Sequence, residues 1–440
     1  MNKTKTKGLW LLLCLSCFFD HAFASGESQK RWEMMNQIRT EKFDMVLPAV
    51  MRENNVSMWI TINREGYDDP LTHDFGKGYV GSYGYYIFTD RGGNRIERAA
   101  LGISTYLVEG NGSYDIVTSD FDLKEFVSKR NPKSIALNYS ENIGAADGLS
   151  YTSYKKLAEI LGQKYSERFV SAEKLISDFR SRRVATEIAA FSRTGEISRT
   201  IAETALSNEV ITPGETTLLE VAWWLREQQF VNNLGTSFGM PSVYVTGPHG
   251  IEDLSNNHVI QRGDFLAIDW GVGYLNFHTD VKRLAYVLRE GENSLPESIQ
   301  RAFENGRDVR DILKNNIRAG RTAEETLKLL NKKINDAGFR VMEKFNQPTD
   351  DPNNIDVIIG CHSVGNLGHG IGPSIAWFNP ERLTYMIKST NMFSIELFAY
   401  TAIHEWGGKK LRIPLEDNAI VTERGLEWLY PINQKILLIR

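Results

Sequence analysis

The sequence predicts an α+β protein of two domains: a smaller α/β domain over residues 30–178, then a larger one over residues 185–440 built on a curved antiparallel sheet flanked by helices. Three observations carry this. Between about 30 and 178, helix-like and strand-like pieces alternate along the chain, the pattern of an α/β domain. The basic stretch RSRRV, from Arg180, leads into two long segments whose apolar residues recur at helical spacing. From 264 onward long strands, each followed by a turn, dominate, which suits an antiparallel sheet covered by helices.

The elements follow in order. Residues 1–24 hold Lys3, Lys5 and Lys7, the apolar run LWLLLCLSCFF, and AFA before Ser25, the layout of a secretory signal. The chain is therefore expected to be exported, to a periplasmic or extracellular space, with cleavage near Ala24 and Ser25. A lipoprotein with Cys17 as the lipidated residue is the alternative, although Cys14 stands where such a signal prefers Leu. The run is too short to span a bilayer, no later stretch is long enough, and no stable membrane span is expected. With a formal charge of −4 before processing, the chain has no electrostatic case for binding nucleic acid. Cys14 and Cys17 leave with the signal, so Cys361 remains alone and no internal disulfide can form. Stability must come from an apolar core, for which 42% hydrophobic composition is ample.

EKFDMVLPAVMRENN reads as a helix, SMWITI as a short buried strand, YGYYIFTD as a strand entering the turn RGGN, and SIALNY as a further strand. Gly92 and Gly93 read as a hairpin turn, not as a phosphate-cradling loop. LSYTSYKKLAEILGQKY and SAEKLISDFRSRR read as helices. Past the basic stretch, TEIAAFSRTGEISRTIAETALSNEV is helical, with Thr186 as its expected N-cap. TPGE then starts TTLLEVAWWLREQQFV, in which Trp223 and Trp224 are expected at the helix core or edge. FLAIDWGVGY and FHTDVKRLAYVL are strands, helices follow over about 297–318 and 322–337, and FSIELFAYTAI, KKLRIPLEDNAIV and ILLIR are strands again.

Chemistry gathers in this last region. Asp269 in FLAIDWG and Asp280 in HTDVKR lie in consecutive strands; in a hairpin centred between them they come opposite one another, about 5 Å apart. Such a pair requires a protonated acid, a cation between them, or a different register. His369 in GNLGHGIGP, Glu396 in FSIELFAY and Glu416 in RIPLED also sit among apolar neighbours. Four carboxylates and one imidazole carry a charge that two divalent cations would cancel.

The ordered set IDWGVGYLNFHTDVKR, GHGIG, SIELFAY and RIPLEDNAIVTERG resembles the catalytic domain of the pita-bread metallopeptidase family, which includes methionine aminopeptidase, aminopeptidase P, prolidase and the non-peptidase creatinase. The match covers about 185–440. The region before it is similar to the amino-terminal domain of creatinase, prolidase and aminopeptidase P, which methionine aminopeptidase lacks. The resemblance implies that Asp269, Asp280, His369, Glu396 and Glu416 bind two divalent metal ions, with Asp280 and Glu416 bridging. Manganese suits such oxygen-rich donors best, with cobalt, iron or zinc as alternatives. Glu396 is the candidate to exchange a proton with a metal-activated water. Arg283, three residues after Asp280, would orient Asp280 from behind.

Family peptidases carry a His upstream of the first Asp that contacts the substrate. His249 in VTGPHG stands nearer the expected spacing than His258. The second His expected shortly after GHGIG is missing from PSIAWFNP, and His362 and His404 are the candidate replacements for binding substrate. The implied activity is that of a Xaa-Pro aminopeptidase or prolidase on short proline-containing peptides. Hydrolysis of a non-peptide C–N bond, or peptide binding without catalysis, are the competing readings. Related enzymes are often dimers or tetramers, so a homo-oligomer is a further expectation carried by the resemblance.

Overall fold

A computed structural model describes residues 26–440 apart from 105–111, 238, 248–249, 254–256, 345–347 and 366–369. His249, His369 and the proposed signal segment lie outside the described residues. The protein is a two-domain α+β structure, an amino-terminal domain followed by a pita-bread domain.

The amino-terminal domain is a mixed sheet of strands β1 (Met58–Asn63), β2 (Tyr79–Asp90), β3 (Ile96–Ser104), β4 (Ile116–Thr118), β5 (Ile135–Leu137) and β6 (Phe169–Ser171), in the order β4-β3-β2-β1-β5-β6. Alternation along β1 sends Trp59 to one face and Met58, Ile60 and Ile62 to the other, and each face buries its own core under helices. The β2–β3 turn falls on Gly92 and Gly93, both at positive φ, as the sequence predicts. The first helix departs from prediction. It runs Glu27–Met45, and a second helix, Leu47–Glu53, begins with Pro48 in its first turn; a proline is tolerated there because no intrahelical donor is lost. Asn138, in one of the chain's Asn-X-Ser sequences, is inside this domain: it accepts from Trp59 Nε1 at 2.7 Å and donates to Asp69 at 2.9 Å.

The helix Ala185–Ala205 opens the second domain. Its N-cap is Val184 without a side-chain bond, so Thr186 is not the cap; its hydroxyl lies inside the first turn and donates to Glu41 of the amino-terminal domain at 2.6 Å. Helix Leu218–Val231 and helix Ala323–Asp336 both begin with a full capping box, Thr217 with Glu220 and Thr322 with Glu325. Trp223 is largely exposed, while Trp224 packs partly on the core.

Three sheets follow. Strands β7 (Gly235–Thr236), β11 (Val272–Tyr274) and β12 (Phe277–His278) make a small one. Strands β8 (Ser242–Gly247), β9 (Gly250–Asp253), β10 (Phe265–Trp270), β13 (Val281–Val287) and β21 (Leu437–Ile439) form a five-stranded sheet in the order β21-β13-β10-β8-β9. The third holds β14 (Arg340–Val341), β15 (Asp356–Ile359), β16 (Cys361–Ser363), β17 (Ser374–Ile375), β18 (Met392–Ala402), β19 (Lys410–Thr422) and β20 (Gly425–Trp428). Helix Glu297–Asn316 covers β18 and β19, and the odd-numbered residues Phe393, Ile395, Leu397 and Ala399 join its core. The even-numbered ones, Ser394, Glu396 and Phe398, are left on the opposite face, which meets β13.

The two domains are tied together near this face. Asn276, in the tip between β11 and β12, donates to Asp74 of the amino-terminal domain at 2.9 Å. Asp74 also accepts from Arg180 at 2.6 Å in an ion pair with almost no exposure. The hairpin that carries Asp269 and Asp280 is thus anchored at its far end.

Candidate metal centre

β10, β13, β18 and β19 converge on one cavity of about 410 Å³, lined by Asp269, Asp280, Lys282, His362, Glu396 and Glu416, with Phe378, Asn379, Phe398 and Arg412 on its wall. Four of the five expected ligands are therefore together; the fifth, His369, is outside the described residues. Glu396 and Glu416 sit directly opposite each other on β18 and β19. Gly360 stands opposite Glu396 on the other side: a Cβ at Gly360 would lie 2.5 Å from Glu396 Oε2, so the missing side chain makes room for the carboxylate.

The register of β10 and β13 differs from the expected one. Asp269 faces Lys282, not Asp280, because the hairpin turns at Leu275 and Asn276, one residue further on, with Leu275 at φ 54°. Asp280, immediately before β13, and Lys282, two residues further on, share the cavity face. The Lys282 ammonium lies 3.0 Å from Asp269 Oδ2 and 2.7 Å from Glu396 Oε1, and pairs with Glu416 Oε2. A cation does separate the acids, and the chain itself supplies it. Lys282 was not foreseen; its signal was its position on the same strand face as Asp280.

Arg283 points the other way. It does not reach the Asp280 carboxylate. Its guanidinium pairs with Asp417 Oδ1 at 2.9 Å and lies 3.5 Å from Glu203, all behind the sheet. The reason is the period of the strand, which puts Arg283 opposite to Lys282 and Asp280.

His362 on β16 is paired with Ser394 of β18, which brings its ring to the cavity. Its Nδ1 is 3.1 Å from the Ser363 carbonyl, and its Nε2 is 3.3 Å from Glu416 Oε1 and 3.8 Å from Asp280 Oδ2. Hydrogen-bonded through Nδ1–H, the ring aims Nε2 at the two carboxylates, and this nitrogen would ligate a metal ion on giving up its proton. His404 is exposed on a short turn after β18 and does not line the cavity. His258 lies 2.7 Å from Asp264, again away from it.

Burial raises the pKa of Asp280 well above the usual carboxylate range, and the charges of Glu416 and Asp269 raise it further. Burial also raises Asp269 and Glu396 against the pull of Lys282. Burial works against charge on Glu416 as well, but Lys282 and His362 outweigh it and bring its pKa down to about 2. Lys282 loses solvation, yet Asp269, Glu396 and Glu416 hold its pKa well above the ordinary value. Burial opposes charge on His362, and Glu416 overcomes it, raising the pKa.

The sequence profile of metallopeptidase family M24 matches residues 189–423, more than half of the chain. The chain belongs to metallopeptidase family M24. Comparison with curated proteins finds no match. Solved structures that share the fold include an X-Pro aminopeptidase from Thermotoga maritima, at TM-score 0.62 and 19% identity, covering 89% of this chain and 99% of that one. They also include the prolidase from Pyrococcus horikoshii, at TM-score 0.57 and 18% identity over 91% of this chain and 99% of that one. A structure described as a putative aminopeptidase P from Bacillus anthracis matches at TM-score 0.59 and 13% identity, over 91% of this chain and 94% of that one.

M24 proteins bind divalent metal ions, and the donors here fit one such ion well. Asp280, His362 and Glu416 are all buried, with one ligand atom from each within 4.8 Å of the others. Asp280 Oδ1 is buried with no hydrogen-bond partner among the described residues, a costly state that a cation would relieve. Asp269 and Glu396 are a different matter, since their facing oxygens are engaged by Lys282.

Proposed function

We propose that this M24 protein is an exported metallohydrolase of the Xaa-Pro aminopeptidase or prolidase type, acting on short proline-containing peptides. The observation that carries the reading is the buried set of Asp280, His362 and Glu416 beside Asp269 and Glu396, in a cavity open to a small substrate. The added amino-terminal domain supports it, because the X-Pro aminopeptidase and prolidase structures match over both domains. Manganese is the first candidate ion, with cobalt, iron or zinc next, given two carboxylates and one imidazole.

A divalent ion in this set would supply Lewis-acid polarisation of a carbonyl and a more acidic water. The chain's own groups do the rest. Glu396 is 15% exposed and reaches the cavity from β18, where it can accept and return a proton. Its raised pKa brings it nearer the operating range of a general base. Phe378 and Phe398 give the pocket an apolar wall suited to a proline ring, and Arg412, stacked 4.0 Å above Phe398, offers a cation to a peptide carboxylate. His249 remains the candidate for contact with the leaving group.

One observation favours a second reading. Lys282 fills part of the donor set, and with the His missing after GHGIG this supports either hydrolysis of a non-peptide C–N bond or peptide binding without turnover. Manganese-loaded protein lacking residues 1–24 should be offered Xaa-Pro dipeptides, longer Xaa-Pro peptides and amidine substrates, beside Asp280→Ala. Turnover of proline peptides that this change abolishes supports the proposal. Turnover of amidines alone, or peptide binding with none, overturns it.

A further inference from the structure

Lys282 stands where the resemblance calls for a metal ion. Its ammonium has three N–H donors, and three carboxylates surround it, Asp269 Oδ2 at 3.0 Å, Glu396 Oε1 at 2.7 Å and Glu416 Oε2. Each donor thus has its acceptor. The side chain is only 4% exposed, and direct cross-strand pairing with Asp269 fixes where it starts. An ion bound by Asp269, Glu396 and Glu416 would need the lone pairs that this ammonium uses, and would meet a like charge at hydrogen-bond distance.

Charge balance points the same way. Counted as ionised and with His362 neutral, the four carboxylates of the cavity, Lys282 and one divalent ion leave a single negative charge, which one proton cancels; a second divalent ion would leave the buried site net positive. The remaining donors are arranged differently. Among the described residues Asp280 Oδ1 has no hydrogen-bond partner, and His362 Nε2 faces Asp280 and Glu416.

We propose that the centre takes a single divalent metal ion, held by Asp280, His362 and Glu416, with the Lys282 ammonium fixed in the position of a second. This rests on the metallohydrolase reading and deepens it. Asp269 is then a partner of Lys282 rather than a metal ligand, and Glu396 keeps its place by pairing with Lys282.

The test is a metal count on full-length processed protein, stripped, reloaded with manganese(II) chloride, desalted and measured by mass spectrometry. One ion per wild-type chain is expected. Asp269→Asn should still hold one, whereas Asp280→Asn and His362→Ala should hold none. Lys282→Ala, which removes the charge and opens its space, should take up two. Two ions, or none, in the wild type overturn the proposal, as does loss of the ion in Asp269→Asn. If Lys282→Ala does not fold, the wild-type count and Asp269→Asn decide. Peptide turnover measured on the same sample separates the two proposals: one ion without turnover defeats the peptidase reading and leaves the single-metal centre standing, and two ions with turnover does the reverse.

Discussion

Replacing Arg283 by Met separates a structural role from a metal-orienting one. Arg283 is 1% exposed and Asp417 is fully buried, with Nη2 2.9 Å from Oδ1. Removing one partner of a buried ion pair leaves the other charge uncompensated, at a cost of about 3–5 kcal/mol. Asp417 would keep the Asn433 N–H at 2.9 Å and Arg310 at 3.8 Å, so the lower end, about 3 kcal/mol, is expected. In a domain of this size that corresponds to a drop in Tm of roughly 6–12 °C by thermal unfolding of the metal-free protein. Manganese affinity, from calorimetry on the folded variant, should change by less than about threefold, because no Arg283 nitrogen reaches the Asp280 carboxylate. An unchanged Tm together with a ten- to hundredfold loss of metal affinity, on the order of what removing an outer partner of a ligand does, would refute the reasoning and restore Arg283 as the group that orients Asp280.

Three further outcomes follow. Gly360→Ala should displace the Glu396 carboxylate, since the added Cβ would meet Oε2 at 2.5 Å; stability should fall by about 1–2 kcal/mol, while turnover falls about a hundredfold, and unaltered turnover would count against Glu396 as the proton acceptor. Asp69 is buried and accepts bonds from Leu71 N and Asn138, and burial raises its pKa to about 6 from 3.8. The folded state therefore holds this proton more tightly than the unfolded one, so stability should decline by up to about 3 kcal/mol as pH rises from 4 to 6 and stay level above; denaturant unfolding of Asp69→Asn should lack that decline, and an identical pH profile in both proteins would refute it. Arg412→Met should raise KM for dipeptides about tenfold or more with little change in kcat, and should matter less for substrates whose carboxylate lies further from the proline.

Asp269, Asp280, Glu396 and Glu416 were legible in the sequence because each is an acid in an apolar strand, and strand alternation fixes the face on which such a residue lies. The two-domain architecture was legible for a similar reason, since helical and strand periodicities change visibly near 185. The hairpin register was not. The turn at Leu275 and Asn276 carries no glycine, and a leucine at positive φ gives no advance sign, so centring the hairpin between the two acids was the natural choice and was one residue off. His362 was legible only as a candidate for binding substrate; that it joins Asp280 and Glu416 depends on pairing with Ser394, thirty-two positions later, which local pattern does not encode.

Lys282 sits between these cases. Reading β13 with a period of two puts it beside Asp280 on the buried face, and a lysine cannot stay buried and charged without acceptors. The sequence therefore contained half of the argument. The other half, that Asp269, Glu396 and Glu416 supply those acceptors at once, needed the relative placement of three strands. A buried acid asks for a positive partner, and four acids in order suggested metal ions as that partner. The structure adds a competitor of the same sign within the chain, so the number of ions follows from how the ammonium and the metal divide the oxygens, and not from counting carboxylates.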